Sequence, residues 1–416
     1  MKIINILFAF AAIPLFSSAQ NINGDWFGTL KVQAGISIRI VFHITKTPNG
    51  FSSTMDSPDQ GAHGIPVPST AFNNPTLKLE IPAAKIVYTG ELKDSIISGI
   101  FNQNGLSIPL NLSRTPETTV LKRPQEPVKP YPYYSEDVTF RNEKANVTLA
   151  GTLTLPKKEG NYPAVILISG SGAQNRNEEV LGHKPFLVIA DYLTRNGIAV
   201  LRYDDRGTAL STGDFRSGTT ADFATDAESA LSYLQSRKEI DKKKIGLIGH
   251  SEGGTIAPMI ASRNKNVDFI VMLAGPGMPG SELLLLQKDK IERESGIPDS
   301  SIEEGQRIFK EVYKIIVDSS PNDTTLKNKV LTYFEQQLGD AADDKIAESL
   351  TNQLLSPWMV YFIRLNPISF LEKVKCPVLA LNGGNDLQVP PKENLEAIGA
   401  ALKKGGNKNV TIKEFP

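Results

Sequence analysis

Residues 244–257, KIGLIGHSEGGTIA, decide the fold of this 416-residue chain. The apolar run Ile245–Ile248 stops at Gly249, and a helix-like pattern of small residues follows, so the chain must turn sharply at Ser251. Residues 249–253 match G-x-S-x-G, a motif in which glycines let a strand and a helix pass closely while a strained turn presents the serine hydroxyl. The stretch therefore predicts a nucleophile elbow centred on Ser251.

The composition indicates a globular protein with a large core. Hydrophobic residues make up 40% of the chain, and Lys plus Arg equals Asp plus Glu at 45 each. Because no long block of one charge sign occurs, we expect a small-molecule substrate and no nucleic-acid partner. Cys376 is the only cysteine, which excludes an intramolecular disulfide and a cysteine-based metal site. Since the chain has no Walker or HExxH motif, we expect no cofactor and no metal.

The first 19 residues are typical of a signal peptide. Lys2 supplies the positive start, residues 3–16 are mostly apolar, and residues 17–19 are small. Asn5 and Pro14 interrupt an apolar run that is already too short to span a bilayer. We therefore expect cleavage after residue 19, export to the periplasm or the cell exterior, and no membrane span in the mature protein.

Short strands and turns dominate the next segment. Apolar runs between turns rich in Asn, Gly and Pro predict six strands, at residues 26–32, 36–44, 76–81, 86–92, 96–101 and 106–112. We interpret residues 20–114 as a small antiparallel β domain, a barrel or a sandwich, with either an accessory binding role or a packing role. Its Asn23–Trp26 opening resembles the start of small lipocalin-like barrels. Residues 115–134 contain five prolines and almost no aliphatic residues, which predicts an extended linker.

Apolar strands alternate with amphipathic helices over residues 135–416. The pattern predicts strands at 147–155, 164–169, 198–203, 245–248, 269–274, 378–381 and 410–415, and helices at 185–196, 219–237 and 393–402. Such alternation indicates an α/β fold with a mostly parallel sheet and helices on both faces. Active sites in these sheets form at the carboxyl ends of strands, which is where Ser251 falls.

A charged, helix-patterned insertion interrupts this alternation at residues 281–366. We expect it to form a helical cap. Its final stretch, residues 354–362 (LLSPWMVYF), would either line an acyl pocket or pack as ordinary helical core.

From residue 135 onward the chain resembles an α/β-hydrolase of the carboxylesterase type, similar to secreted bacterial esterases that carry an N-terminal β domain. The resemblance rests on the elbow together with residues 169–172 (SGSG), 202–207 (RYDDRG) and 383–386 (GGND), which occur in the expected order. It implies a serine esterase that cleaves small carboxylic esters through an acyl-serine intermediate.

The resemblance also implies a catalytic serine, acid and histidine in that chain order. Ser251 would be the nucleophile and Asp386 the acid, although Asp386 could also be a simple turn residue. The oxyanion hole would take the backbone amide of Glu252 and one amide from Ser171 or Gly172. No catalytic role is expected for the Glu252 side chain, which we expect to be solvated.

Two further groups of polar residues lie near these motifs. Asp204, Asp205 and Arg206 come too early in the order to supply the acid, so we interpret them as a structural ion-pair turn. Five residues of the loop after the 164–169 strand could border the substrate, with no role assigned: Asn175, Arg176, Glu178, Glu179 and His183.

The histidine of the implied triad has no obvious candidate. In the family it lies in the loop after the eighth strand, and here residues 410–415 are followed only by Pro416. None of the four histidines follows Asp386 in the chain: His43, His63, His183 and His250. We also expect the His250 ring to point away from Ser251. Our hypothesis is that the base lies outside these residues and that the chain is a C-terminally truncated copy of an active esterase, inactive as written.

Two other functions stay open. A serine aminopeptidase would share this elbow, but such enzymes usually carry a propeller, for which the β segment is too short. A non-catalytic binding protein could keep the fold without the triad, because fold does not fix function.

Overall fold

The computed structural model describes residues 21–33, 36–48, 50–60, 62–103, 106–116, 123–338 and 344–416. The signal-peptide prediction lies outside these residues, as does the middle of the predicted linker. Contacts divide the chain into two compact units. The first runs to Lys122 and includes Val180–Gly182, and the second comprises Arg123–Glu179 and His183–Pro416.

The first unit is a nine-stranded antiparallel sheet. Its strands are β1 (Gly24–Gln33), β2 (Ile36–Thr47), β3 (Gly50–Ser57), β4 (Ala62–Val67), β5 (Ser69–Asn73), β6 (Thr76–Ile81), β7 (Ile86–Lys93), β8 (Ile96–Gln103) and β9 (Leu106–Ser113). The order across the sheet is β4-β3-β2-β1-β9-β8-β7-β6-β5. The six predicted strands are present, whereas β3, β4 and β5 were not predicted. Those three strands carry few buried side chains, and β4 and β5 form the sheet edges, so their apolar signal is weak.

The sheet of the first unit curls until its two ends meet. Ser53 Oγ on β3 and Thr70 Oγ1 on β5 are 2.7 Å apart, and the Phe51 and Phe72 rings pack edge to face. The interior is filled by a buried apolar cluster that includes Trp26, Phe42, Tyr88 and Phe101. This is the geometry of a barrel rather than of a two-sheet sandwich.

The second unit is an eight-stranded, mostly parallel sheet. Its strands are β10 (Tyr134–Asn142), β11 (Val147–Leu155), β12 (Tyr162–Ile168), β13 (Ala199–Tyr203), β14 (Ile240–His250), β15 (Phe269–Leu273), β16 (Val378–Gly383) and β17 (Val410–Phe415). They lie in the order β10-β11-β13-β12-β14-β15-β16-β17, and every pair from β13 to β17 is parallel. The alternating pattern therefore predicted this sheet, apart from the half-exposed edge strand β10.

Ten helices accompany this sheet in the described part of the second unit. They are α1 (Pro185–Arg195), α2 (Thr220–Ser236), α3 (Glu252–Ala261), α4 (Gly280–Glu294), α5 (Asp299–Asp318), α6 (Leu326–Leu338), α7 (Asp344–Leu354), α8 (Pro357–Arg364), α9 (Ile368–Leu371) and α10 (Pro391–Lys404). The predicted helices at 185–196, 219–237 and 393–402 correspond to α1, α2 and α10. None of the helices in the described ranges is long and apolar enough to cross a membrane.

Both faces of the sheet are covered, as the alternation predicted. Ala164, Ile166 and Ile168 of β12 belong to one buried cluster, while Val165 and Leu167 belong to another. Successive side chains of a strand point to opposite faces, so a strand buried on both sides reads as a continuous apolar run.

The predicted insertion forms the helices α4 to α8. These helices enclose an apolar cluster of their own, in which Val312, Val330, Phe334 and Ile363 are buried. The segment is thus a helical layer with its own core, inserted between β15 and α9.

Candidate active site

Ser251 occupies a strained turn between a central strand and a helix. β14 ends at His250 and α3 begins at Glu252, and Ser251 between them has φ 49° and ψ −114°. Residues with a side chain adopt positive φ rarely and at an energetic cost, and such strain is concentrated at functional sites. The predicted elbow geometry is present at Ser251.

Two glycines of the motif are required by close backbone approach. A Cβ atom at Gly249 would lie 1.9 Å from the Gly253 carbonyl oxygen. A Cβ atom at Gly253 would lie 2.2 Å from the Ile168 carbonyl oxygen at the end of β12. No side chain fits at either distance, so β12, β14 and α3 can meet at this point only through glycine.

The loop after β12 passes beside Ser251, where the oxyanion hole was predicted. A Cβ atom at Gly170 would lie 3.2 Å from Ser251 Cβ, and the Gly170 N–H donates to Glu178 Oε1 at 2.7 Å. The next two residues, Ser171 and Gly172, are exposed. The Glu252 amide is the first of α3, and the first amides of a helix have no intrahelical acceptor. The geometry is compatible with the predicted amides, whose role stays a prediction.

The expectation that the Glu252 side chain is solvated was wrong. Glu252 is 3% exposed, and its Oε1 accepts hydrogen bonds from Thr220 Oγ1 at 2.6 Å and Trp358 Nε1 at 2.7 Å. Burial raises the pKa of the Glu252 carboxyl above its usual range, against the two hydrogen bonds, which lower it. The physical reason is that the residue after the nucleophile faces α2 and α8, whose helices cover it.

A buried acid, Glu178, to which the sequence assigns no role, lies beside the elbow. Glu178 is 6% exposed, and its Oε1 is 2.7 Å from His250 Nδ1 while it also accepts from the Gly170 amide. Burial of the ring lowers the pKa of His250, but Glu178 and the charge of Asp386 outweigh it, so the pKa is raised from 6.5. Glu178 therefore ties the predicted oxyanion loop to the residue before the nucleophile.

Asp386 lies in the turn that follows β16. Its Oδ1 accepts from the backbone amides of Gln388 at 2.9 Å and Val389 at 3.0 Å. The side chain borders a cavity of about 450 Å³ together with Lys290 and Glu414. The turn is thus ordered by Asp386 itself, and the carboxylate is close enough to His250 to affect the pKa of that ring.

All four histidines lie in the described residues, and each is bonded to a group other than Ser251. His43 Nδ1 is 2.8 Å from Asp25 Oδ1, and His63 Nδ1 is 3.1 Å from Asp56 Oδ2. His183 is hydrogen-bonded to the Arg123 guanidinium, and His250 to Glu178. None of these contacts brings a histidine to Ser251, and the hypothesis that the base lies outside these residues stays a prediction.

The Asp204–Arg206 turn is structural in the way that was predicted for two of its residues. Asp204 pairs with Arg176 at 2.7 Å, and Arg206 pairs with Asp226 at 2.7 Å. Asp205 differs because its carboxylate accepts from Ser169 Oγ at 2.7 Å and from the Gln174 amide at 2.9 Å. Burial raises the pKa of the Asp205 carboxyl to about 8, so this residue is largely neutral at pH 7.

The aromatic run at residues 354–362 serves more than one purpose. Phe362 is buried and stacks on Trp358, whose ring nitrogen reaches Glu252. Val360 and Tyr361 line a cavity of about 990 Å³ near the C-terminal end of α3, and Ser251 is not among its lining residues. The run therefore supplies helical packing and a link to the elbow.

No group of three metal-ligating side chains occurs in the described ranges.

Comparison with known proteins places this chain among hydrolases. It is 30% identical over 289 residues to Esterase EstD of Thermotoga maritima, which covers 68% of this chain and 60% of that protein. It is 28% identical over 127 residues to the human mitochondrial acyl-coenzyme A thioesterase 2, covering 30% of this chain and 23% of that enzyme. The chain thus spans less than two thirds of the length of either relative.

The fold also resembles solved structures at low sequence identity. The Pyrococcus furiosus esterase Pf2001 is 18% identical, with a TM-score of 0.44 over 70% of this chain and 87% of that one. The hypothetical protein PA2218 of Pseudomonas aeruginosa is 16% identical, with a TM-score of 0.45 over the same shares.

A family model described as serine aminopeptidase, S33 matches residues 184–416, a span that contains both Ser251 and Asp386. Because this match extends over more than half of the 416 residues, the chain belongs to that hydrolase family.

Proposed function

We propose that this chain is a serine hydrolase that cleaves small carboxylic esters through an acyl-Ser251 intermediate. The observation that carries the proposal is the strained conformation of Ser251, φ 49° and ψ −114°, at the carboxyl end of a central parallel strand. Holding the serine there exposes the hydroxyl and places it at the N-terminus of α3. The similarity to Esterase EstD supports the ester as substrate class.

The reaction would proceed in two halves. A base removes the proton from Ser251 Oγ as the oxygen attacks the ester carbonyl carbon, and the carbonyl oxygen becomes an oxyanion. The Glu252 amide and an amide of Ser171 or Gly172 would donate to that oxyanion. The intermediate then releases the alcohol, which takes the proton. Water hydrolyses the acyl-serine by the same steps and yields the carboxylic acid.

Asp386 would hold and stabilise the protonated form of the base. The turn that carries Asp386 lies beside the end of β17, because the Gly384 N–H donates to the Phe415 carbonyl oxygen at 2.6 Å. A group that follows β17 would therefore enter the site next to Asp386. The expectation that the base is a histidine supplied after residue 416 stays a prediction.

Export by the first 19 residues is likewise a proposal. N-terminal sequencing of protein from the cell envelope tests it, and Gln20 is the expected first residue.

A second candidate is peptide-bond hydrolysis at an amino-terminal residue. It is favoured by the description of the matching family as serine aminopeptidase. Both candidates use the same nucleophile, and they differ in whether an alcohol or an amine leaves.

A substrate panel on the enzyme as its gene encodes it separates these functions. We expect turnover of chromogenic esters of graded acyl length to exceed that of aminoacyl anilides. Ser251→Ala should lower ester turnover at least about 10⁴-fold, because triad members act as a unit. Ser262→Ala, at the other end of α3, is the matched control and should retain activity.

Covalent labelling tests the nucleophile directly. A fluorophosphonate probe should modify the peptide that contains Ser251, and the Ser251→Ala protein should stay unlabelled. Labelling at another serine would move the nucleophile. Failure to turn over either substrate class or to react with the probe would favour the binding-protein alternative.

A further inference from the structure

A cleft outside the candidate active site contains a buried cation that lacks a counter-ion. The cleft has a volume of about 550 Å³ and lies in the second unit, along β10, β11, β13 and the loop before α1. Its lining includes Lys129, Tyr131, Tyr133, Arg176, Asn177 and Arg202.

Arg202, on β13, is the unusual member of this lining. The residue is 4% exposed, and its buried Nε has no hydrogen-bond partner among the residues that the structure describes. Its Nη1 donates to the neutral Asn177 Oδ1. In the described part of the chain no carboxylate lies within ion-pair distance of Arg202, whereas buried arginines are ordinarily paired.

The other charges around the cleft do not neutralise Arg202. Arg176 donates hydrogen bonds from Nε and Nη2 to the Asp204 carboxylate. Its Nη1 donates to Asp137 Oδ1, to the Gly151 carbonyl oxygen and to Thr152 Oγ1. Asp137 is thereby engaged, and its side chain is largely exposed. Lys129 Nζ, 5.8 Å from the centre of the Tyr131 ring, adds a second positive charge to the rim.

Arg202 keeps its charge at neutral pH. Burial lowers the pKa of its guanidinium to about 10, which is still well above 7. The side chain is therefore a cation withdrawn from water, and a planar guanidinium is suited to bind carboxylate or phosphate oxygens.

We propose that this cleft binds a small anion, through a carboxylate or phosphate group that contacts Arg202 between the tyrosine pair and Lys129. Tyr131 and Tyr133, whose stacked rings have centroids 5.1 Å apart, both line the cleft and offer aromatic surface to the remainder of the ligand. The site goes beyond the proposed ester hydrolysis and does not depend on it. Its link to the elbow is the loop itself, because Asn177 directly precedes Glu178, which holds His250.

Calorimetric titration of the whole chain tests the site. The probes are inorganic phosphate, acetate and benzoate, each added to a chloride buffer of constant ionic strength. We expect saturable one-site binding. Comparison of the affinity for phosphate with the affinities for acetate and benzoate decides which headgroup the site prefers. The difference in affinity between benzoate and acetate measures the contribution of the tyrosine pair.

Asn177→Asp is the decisive variant because it is nearly isosteric and places a carboxylate on Arg202 from within the chain. We expect it to weaken binding of the preferred probe at least about tenfold and to raise the melting temperature in chloride buffer. Lys129→Gln, an exposed change, should weaken binding by a smaller factor. Arg141→Gln removes an exposed cation on β10 outside the cleft and should leave binding unchanged.

Two results would overturn the proposal. One is the absence of saturable binding of any of the three probes to the wild-type chain. The other is unchanged affinity in the Asn177→Asp variant, which would place the bound anion elsewhere.

Discussion

Glu252 Oε1 accepts a hydrogen bond from Trp358 Nε1 at 2.7 Å, although 106 positions separate the two residues. The same oxygen accepts from Thr220 Oγ1 at 2.6 Å. One buried carboxyl thus joins the residue after the nucleophile to α2 and to α8 of the helical insertion. The insertion is therefore fastened to the elbow by a polar contact as well as by apolar packing.

Removal of this carboxyl should destabilise the chain more than its neutralisation. Glu252→Ala leaves the Trp358 and Thr220 donors without an acceptor, which should cost about 1 to 3 kcal/mol of unfolding free energy. Glu252→Gln keeps an acceptor oxygen and should cost less. A double-mutant cycle with Trp358→Phe, measured by urea unfolding, should give a coupling energy of about 1 kcal/mol. Strict additivity of the Glu252→Ala and Trp358→Phe effects would show that the contact contributes nothing.

The strained backbone at Ser251 predicts that glycine at this position gives a more stable chain than alanine. Ser251→Gly and Ser251→Ala both remove the hydroxyl, but only glycine adopts φ 49°, ψ −114° without a steric penalty. We expect the glycine variant to be more stable than the alanine variant by about 1 kcal/mol, with both inactive. At Ser262, in the ordinary helical conformation, the order should reverse and alanine should be more stable. The same order at both positions would contradict the strain assignment.

Asp386→Asn should separate the catalytic effect of the Asp386 charge from the role of the side chain in ordering its turn. An asparagine oxygen can still accept from the Gln388 and Val389 amides, so the turn should keep its shape. We expect ester turnover to fall by about 10² to 10⁴-fold, somewhat less than for loss of the serine. Asp386→Ala, which also removes the turn bonds, should lose stability in addition. Near-normal turnover in the asparagine variant would leave Asp386 as a turn residue only.

Asp205 should make the stability of the chain fall as pH rises. Its carboxyl has a pKa of about 8 in the folded chain against an ordinary value of 3.8, so between these values only the folded state binds the proton. Unfolding free energy therefore decreases with rising pH in this window. Asp205→Asn imitates the protonated form but does not titrate, so its unfolding free energy lacks this pH dependence. The variant should gain up to about 3 kcal/mol over the wild type between pH 5.5 and 8.

Urea unfolding at several pH values measures that difference. Asp268→Asn changes an exposed carboxyl and is the matched control. Parallel pH profiles of the wild type and Asp205→Asn would show that Asp205 is ionised in the folded chain.

The sequence by itself determined the elements whose signals are local. Windows of about 20 residues were enough to predict three elements. These are the turn at Ser251 with its apolar run and glycines, the continuous apolar strand β12, and the capped helix α2. The same applies to the turn that carries Asp386. Edge strands such as β4 and β10 were missed because one half-exposed side of a strand supplies too few apolar residues for the pattern to register.

Only the tertiary structure decided which polar groups meet. Glu178 reaches His250 across 72 positions, and Arg202 donates to Asn177 across 25. The Glu252 carboxyl was expected in solvent and is enclosed by two helices instead. These contacts join elements that are distant in the chain, so neither hydrophobic periodicity nor residue spacing predicts them. Burial of a carboxyl and its partner depends on how helices cover the sheet, so it follows from packing rather than from local sequence.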